Sequence, residues 1–127
     1  MRKRILVIDD EELLVRTFAR LLERINFDVS VASRPDDAID MAQKENFDLV
    51  LCDIRMPGKN GVETIRQMRE VQKEKGRQEA PVIFLTGFAD PKLEREAQTL
   101  NPAAYLYKPF DTARLLEAIE AALGGTK

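Results

Sequence analysis

Residues 5–10 read Ile-Leu-Val-Ile-Asp-Asp, an unbroken apolar run that stops at two carboxylates. A run without polar alternation is typical of a parallel strand that is buried on both faces. Three later apolar runs also stop at polar residues, namely Asp53, Thr86 and Lys108. If these runs are parallel strands of one sheet, their polar ends share the edge beyond the carboxyl ends of the strands. Open α/β sheets bind their ligands at that edge.

Strand and helix patterns alternate five times along the whole chain. The predicted strands cover residues 5–8, 29–32, 49–52, 82–85 and 104–107. Apolar residues recur at helical spacing after each of them. This alternation predicts a single doubly wound α/β domain, with helices on both faces of a parallel sheet and right-handed crossovers.

The helices differ in how strongly their patterns predict burial. The first has a broad apolar stripe that we expect to face the core: Leu13, Leu14, Phe18, Leu21, Leu22 and Ile25. Ser33 is expected to cap the second helix, with Pro35 in its first turn. The fourth helix, capped by Asp90, has only a thin stripe and should be the least firmly anchored. Asp111 is expected to cap the last helix, and Gly124-Gly125 to close it.

The composition of the chain excludes several kinds of functional site and partner. The 127 residues suffice for about one domain, and a net charge of -2 gives no general attraction to nucleic acid or anionic membranes. The chain contains no histidine, which excludes His-based zinc sites and Ser-His or Cys-His nucleophile pairs. No apolar run approaches the roughly 20 residues of a membrane span, and no signal peptide pattern opens the chain. The single cysteine, Cys52, fits a reducing cytosol, so we expect a cytoplasmic location.

The strand-end residues predict a metal-assisted phosphoryl site. In the flavodoxin-like strand order 2-1-3-4-5, strands one and three flank the switch point, so Asp9 and Asp10 should face Asp53. Two carboxylates about 4 Å apart repel by roughly 4 kcal/mol at an effective dielectric near 20. A hard cation such as Mg²⁺ would relieve this repulsion, and Lys108 and Thr86 add an amine and a hydroxyl. Such a carboxylate can attack a phosphorus centre and retain the transferred phosphoryl group as an acyl phosphate.

These residues resemble the receiver domain of bacterial two-component response regulators, over essentially the whole chain. The resemblance rests on four segments that are specific together: residues 5–11, 53–58, 85–87 and 105–110. It implies a (βα)5 three-layer sandwich, with the receiver domain at 1–125 and a C-terminal tail at 126–127. It also implies a signalling module that catalyses only its own phosphorylation and dephosphorylation, not a general enzyme.

The resemblance further implies a role for each site residue. Asp53 looks like the acceptor of a phosphoryl group from the phosphohistidine of a sensor histidine kinase or phosphotransfer protein. Asp10 resembles the aspartate that binds Mg²⁺ directly, and Asp9 resembles the one that binds it through a water molecule. Arg55 resembles the residue that binds the ion through its main-chain carbonyl. Lys108 resembles the phosphate-pairing lysine, joined to Pro109 by a cis bond.

Thr86 and Tyr105 look like the switch pair of the family. On phosphorylation, the hydroxyl would move to the phosphoryl group and the ring would turn inward, changing the surface of helix four, strand five and helix five. That surface is the expected contact for a downstream protein or output domain. No output domain, direct nucleic-acid contact or membrane contact is expected within this chain.

The residues alone also allow two other functions. A phosphatase of the haloacid-dehalogenase type also uses an aspartyl phosphate and Mg²⁺, but it needs a second aspartate two residues after the nucleophile, where this chain has Arg55. The other alternative is a binding module that retains the fold and never receives phosphate.

Overall fold

A computed structural model describes residues 2–124 and contains five parallel strands in one sheet. The strands are β1 (Arg4–Ile8), β2 (Asp28–Ala32), β3 (Leu49–Asp53), β4 (Val82–Thr86) and β5 (Ala104–Tyr107). Their order is β2-β1-β3-β4-β5. The predicted doubly wound, flavodoxin-like sheet is therefore confirmed, with strand bounds within one residue of the sequence pattern.

Within residues 2–124, four helices connect successive strands and a fifth follows β5, so that both faces of the sheet are covered. They are α1 (Glu12–Arg24), α2 (Pro35–Lys44), α3 (Gly61–Glu74), α4 (Pro91–Gln98) and α5 (Thr112–Ala122). Alternate residues of β1 enter two different cores, because successive side chains of a strand point to opposite faces. Ile5 and Val7 pack with α1 and α5, whereas Leu6 and Ile8 pack with α2, α3 and α4.

The structure corrects two details of the predicted helices. Leu13 and Ile25, which we expected to face the core, are 79% and 44% exposed. The helix α1 ends at Arg24, before Ile25, and its buried residues form a narrower strip than the apolar pattern predicted, namely Val15, Phe18 and Leu22. Ser33 does not cap α2. The chain stays extended through Arg34, which is the N-cap residue and makes no side-chain cap bond. Pro35 occupies the first turn, as predicted.

The predicted caps of the last two helices are confirmed. Asp90 caps α4 by accepting the Leu93 N–H at 3.1 Å, and Asp111 caps α5 by accepting the Arg114 N–H at 2.8 Å. Ala97 is the single buried residue within α4, which fits its expected weak anchoring. Gly124 adopts a positive φ of 69° just beyond α5, whereas Gly125 and the predicted tail at 126–127 lie outside the described residues. Within residues 2–124, no helix combines the length and apolar character that a membrane crossing requires.

Candidate functional site

Three carboxylates meet at the carboxyl edge of the sheet. Asp9, Asp10 and Asp53 each place one carboxylate oxygen within 4.8 Å of the others. The strand register explains the placement of Asp9 beside Asp53, since Ile8 pairs with Cys52 and an aspartate follows each of these two residues in the chain. Asp9 is 1% exposed and Asp53 is 5% exposed, whereas Asp10 faces solvent.

Lys108 brings a positive charge to this cluster from the end of β5. Its Nζ lies 3.1 Å from Asp9 Oδ2, 3.0 Å from Glu11 Oε1 and 3.8 Å from Asp53 Oδ1. Burial alone would lower the pKa of Lys108, but the hydrogen bond to Glu11 and the charges of Asp9 and Asp53 raise it overall. The amine is therefore held as a cation beside the buried carboxylates.

The backbone places Lys108 next to the end of β4. The Lys108 N–H donates to the Thr86 carbonyl oxygen at 2.6 Å. The Lys108–Pro109 peptide bond is cis, as the resemblance implied. The amine of Lys108 thus comes from the strand end next to Thr86, on the same edge as Asp53.

The environment of Asp53 raises its pKa from 3.8 to about 6. Burial is the main cause, and the negative charge of Asp9 adds to it. The charge of Lys108 and hydrogen bonding from the Arg55 backbone act in the opposite direction and lower the pKa. Asp53 is therefore a carboxylate whose ionised form needs additional positive charge nearby.

The donor set fits a hard divalent cation. Three carboxylates converge at one point, two of them buried, and the neighbouring lysine only partly compensates their charge. Oxygen ligands with space for water suit Mg²⁺ or Ca²⁺. The thiol of Cys52 does not add a sulfur ligand, because it is fully buried and burial raises its pKa well above the ordinary value. Asp9, Asp10 and Asp53 are thus compatible with metal binding.

Thr86 is buried at the end of β4, but its hydroxyl is engaged away from the carboxylates. The hydroxyl lies 3.2 Å from both the N–H and the carbonyl oxygen of Phe88. Thr86 follows Leu85, which pairs with Asp53 across the sheet. The strand register thus places Thr86 beside the carboxylate cluster, while its hydroxyl is hydrogen-bonded to the backbone of the β4–α4 loop.

Tyr105 lies on β5 against the core between the sheet and α4. Its ring centre lies 6.2 Å from that of Phe84 and 5.5 Å from that of Tyr107. The hydroxyl is buried and has no hydrogen-bond partner within the described part of the chain. Burial, followed by the nearby Tyr107, Glu94 and Asp90, raises the pKa of Tyr105 to about 12.

Sequence reasoning missed two features that shape the site. Gly61 is the first residue of α3, and its N–H donates to the Ile54 carbonyl oxygen at 2.7 Å. A Cβ atom there would collide with the carbonyl oxygen of Asp53. The sequence also gave no signal that the Arg55 side chain contacts Phe88 and Asp90.

Comparison with known proteins agrees with this fold and site. The family model described as "Response regulator receiver domain" matches residues 5–120. The transcriptional regulatory protein ResD of Bacillus subtilis is 32% identical over 94% of this chain and 48% of its own length. The transcriptional regulatory protein PdtaR of Mycobacterium tuberculosis is 30% identical over 95% of this chain and 57% of its own. The chain thus spans about half the length of these curated relatives.

Solved structures show the same architecture. A CheY-like receiver domain protein of Methanospirillum hungatei has a TM-score of 0.89 at 26% identity, covering 98% of this chain and 96% of that one. A response regulator from Burkholderia pseudomallei, with a phosphorylated aspartic acid, a calcium ion and citrate, has a TM-score of 0.81 at 28% identity, covering 97% and 69%. Taken with the carboxylate cluster and the strand order, these matches show that the chain belongs to the response regulator receiver domain family of two-component signalling.

Proposed function

We propose that Asp53 is the phosphoryl acceptor of this receiver domain. The observation that carries the proposal is the placement of its buried carboxylate within 4.8 Å of the oxygens of Asp9 and Asp10 and 3.8 Å from the Lys108 amine. A carboxylate in such surroundings can act as a nucleophile toward phosphorus, and transfer then depends mainly on in-line positioning and neutralisation of charge.

The proposed transfer of the phosphoryl group to Asp53 requires no oxidant or reductant. An ionised carboxylate oxygen of Asp53 attacks the phosphorus of a phosphohistidine on a partner protein, forming the new O–P bond as the N–P bond breaks. The imidazole keeps the electron pair of the broken bond and takes a proton from water. Hydrolysis of the resulting acyl phosphate returns Asp53 and releases inorganic phosphate, and no other substrate turnover is proposed.

We propose Mg²⁺ as the metal of this site. Asp10 and Asp53 would contact it directly, Asp9 through water, and Arg55 through its main-chain carbonyl. When bound, the ion supplies positive charge that keeps Asp53 ionised and neutralises the transferring oxygens. The crowding of three carboxylates around a nucleophile whose pKa is raised to about 6 supports a divalent cation here.

Lys108, Thr86 and Tyr105 have separate roles in the proposal. The Lys108 amine pairs with a phosphoryl oxygen, and the Thr86 hydroxyl leaves the Phe88 backbone to donate to another. The ring of Tyr105, which already packs against Phe84, then moves further into the core, and the surface of α4, β5 and α5 changes. The small buried area of α4 supports this choice of moving element, since few apolar contacts oppose its displacement.

The partners follow from the family. Receiver domains interact with histidine kinases and with output domains, so we propose a sensor kinase or phosphotransfer protein as donor and an output domain or separate protein as target. Several relatives are named transcriptional regulatory proteins, and any contact with DNA is assigned here to output regions, not to residues 2–124. A cytoplasmic location is part of the proposal and is supported by the free thiol of Cys52.

Site mapping tests the proposal. The chain is phosphorylated with acetyl phosphate and Mg²⁺, reduced with borohydride to convert an aspartyl phosphate to homoserine, and digested for tandem mass spectrometry. Homoserine at position 53 alone is the expected result. Homoserine at Asp9 or Asp10, or phosphate on a hydroxyl residue, would overturn the assignment of Asp53.

A further inference from the structure

A second group of contacts joins the loop after Asp53 to the beginning of α4. The guanidinium carbon of Arg55 lies 4.7 Å from the centre of the Phe88 ring. Its Nη2 lies 3.7 Å from Oδ2 of Asp90. Because Arg55 is in the β3–α3 loop while Phe88 and Asp90 are in the β4–α4 loop, this side chain bridges two loops at the carboxyl edge of the sheet.

Both ends of this bridge touch residues of the proposed mechanism. Arg55 lies two residues after Asp53, and hydrogen bonding from its backbone acts on the Asp53 carboxylate. Phe88 is the residue whose N–H and carbonyl oxygen hold the Thr86 hydroxyl at 3.2 Å. The same residue therefore supports the Arg55 side chain through its ring and retains the switch hydroxyl through its backbone.

Asp90 extends the bridge to α4. One of its oxygens accepts the Leu93 N–H and caps the helix, while the other faces Arg55. Since Ala97 is the single buried residue of α4, contacts at its N-terminal end influence its position more than they would in a well-buried helix. A change at Arg55 thus has a direct physical route to the helix that the proposed switch moves.

We propose that Arg55 is a positioning residue of the switch, whose side chain holds Phe88 and Asp90 in the arrangement that retains the Thr86 hydroxyl on the Phe88 backbone and so opposes its transfer to a phosphoryl group. This inference rests on the proposed function, in which that hydroxyl moves. It gives the Arg55 side chain a task separate from the main-chain carbonyl of the same residue.

The size of the effect follows from linkage between two states. A contact present in only one state biases the equilibrium by its full free energy, and the apparent affinity of a ligand scales with the fraction of the state that binds it. An exposed ion pair and an exposed cation–π contact each correspond to about a two- to fivefold change. Loss of the Arg55 contacts should therefore tighten binding of a phosphoryl mimic by about threefold to tenfold.

Two substitutions separate this effect from simple electrostatics. Arg55→Gln removes a positive charge near the acceptor, which by charge alone would weaken binding of an anion. Asp90→Asn removes a negative charge but retains an equally good helix cap. The proposal requires tighter binding in both variants, whereas the loss of charge alone predicts opposite changes. Arg16→Gln is the matched control, because Arg16 is an exposed arginine on α1, outside the proposed switch surface, that pairs with Glu12 at 2.9 Å.

The test is a titration of the full chain with beryllofluoride in excess Mg²⁺, followed by NMR at the amides of Thr86 and of α4. We expect Arg55→Gln, which loses both contacts, to lower the apparent Kd by about threefold to tenfold, and Asp90→Asn, which loses the ion pair alone, by about two- to fivefold. Arg55→Lys should give a value between Arg55→Gln and wild type, because it keeps the charge and loses the planar contact. Combining Arg55→Gln with Asp90→Asn should add little beyond the larger single effect, because both remove the same contact.

The outcomes distinguish this inference from the function on which it rests. Unchanged or weaker binding in Arg55→Gln, with a wild-type protein that responds normally, overturns the positioning role and leaves the acceptor assignment standing. A wild-type protein that shows no response to beryllofluoride contradicts the proposed function itself. A change in Arg16→Gln equal to that in Arg55→Gln would also overturn the inference, because it would show a general effect of surface charge.

Discussion

The Nζ atom of Lys108 lies 3.8 Å from Oδ1 of Asp53, at the end of a strand that is separated from the Asp53 strand by β4. Because the sheet is parallel, the carboxyl ends of β3 and β5 share one edge, and a lysine just beyond β5 can reach back to that edge. The same amine contacts Asp9 at 3.1 Å. One cation therefore serves two buried carboxylates, and its removal should affect both.

Replacing Lys108 by Gln should slow phosphorylation and raise the pKa of Asp53 above about 6, because the lysine charge now lowers that pKa. We expect a loss of at least tenfold in the rate of labelling by acetyl phosphate, equivalent to about 1.4 kcal/mol in the transition state. Labelling kinetics and carboxyl NMR titration measure the two effects. Lys108→Arg, which retains the charge, should recover part of the rate. A Gln variant labelled as fast as wild type would contradict the pairing role.

Asp53→Asn should stabilise the protein at pH 7 in buffer without divalent cations. The folded pKa of about 6 lies above the ordinary value of 3.8, so the folded state binds more protons between these values and stability falls as pH rises through this window. The full shift corresponds to about 3 kcal/mol, and we expect about 1–2 kcal/mol because water screens the cluster at the exposed Asp10.

Urea unfolding at several pH values measures this difference. The gain in Asp53→Asn should be largest above pH 6 and should disappear below pH 3.8, where the carboxyl group of the wild type is protonated in both states. Added Mg²⁺ should stabilise the wild type more than the variant. A variant that is less stable than wild type at pH 7 without metal would show that ionised Asp53 is not strained by its surroundings.

Gly61→Ala should destabilise the protein by about 2 kcal/mol or more, because overpacking against fixed backbone is costly. The new Cβ would collide with the Asp53 carbonyl oxygen and lie 3.0 Å from the Ile54 Cα. Gly87→Ala is the matched control, since nothing lies within 4 Å of a Cβ at that position, and it should change stability by less than about 0.5 kcal/mol. Thermal unfolding compares the two, and equal effects would contradict the close approach of α3 to the end of β3.

Tyr105→Phe should leave the protein as stable as wild type or more stable, by up to about 1 kcal/mol. The hydroxyl that it removes is buried without a partner among residues 2–124, and an unsatisfied buried polar group is unfavourable. The ring contacts with Phe84 and Tyr107 would remain. Urea unfolding checks this expectation, and a loss of more than about 0.5 kcal/mol would show that the hydroxyl makes a stabilising interaction in solution.

The sequence predicted the fold and the residues at the edge of the sheet because both depend on local patterns. Four apolar runs with polar stops locate Asp9, Asp53, Thr86 and Lys108 once a parallel sheet is assumed, and strand register does the rest. Burial within helices was predicted less well. The exposed Leu13 shows that an apolar residue at helical spacing need not face the core when it lies in the first turn.

Contacts between loops could not be predicted, because they depend on how several strand ends are arranged in space. The bond between Lys108 and Glu11, at 3.0 Å, joins residues far apart in the chain. The cap of α2 was also assigned wrongly, since only the backbone conformation shows that the chain remains extended through Arg34. The bridge from Arg55 to Phe88 and Asp90 belongs to the same class of contacts.

Intact-mass analysis after incubation with acetyl phosphate is the decisive test of whether Asp53 accepts a phosphoryl group with the help of a divalent cation. Wild type and Asp53→Asn are compared with Mg²⁺ and with a chelator. We expect a single phosphoryl increment that requires Mg²⁺ and is absent in Asp53→Asn. An increment that persists in Asp53→Asn, or a wild-type protein that gains none with Mg²⁺ present, would contradict it.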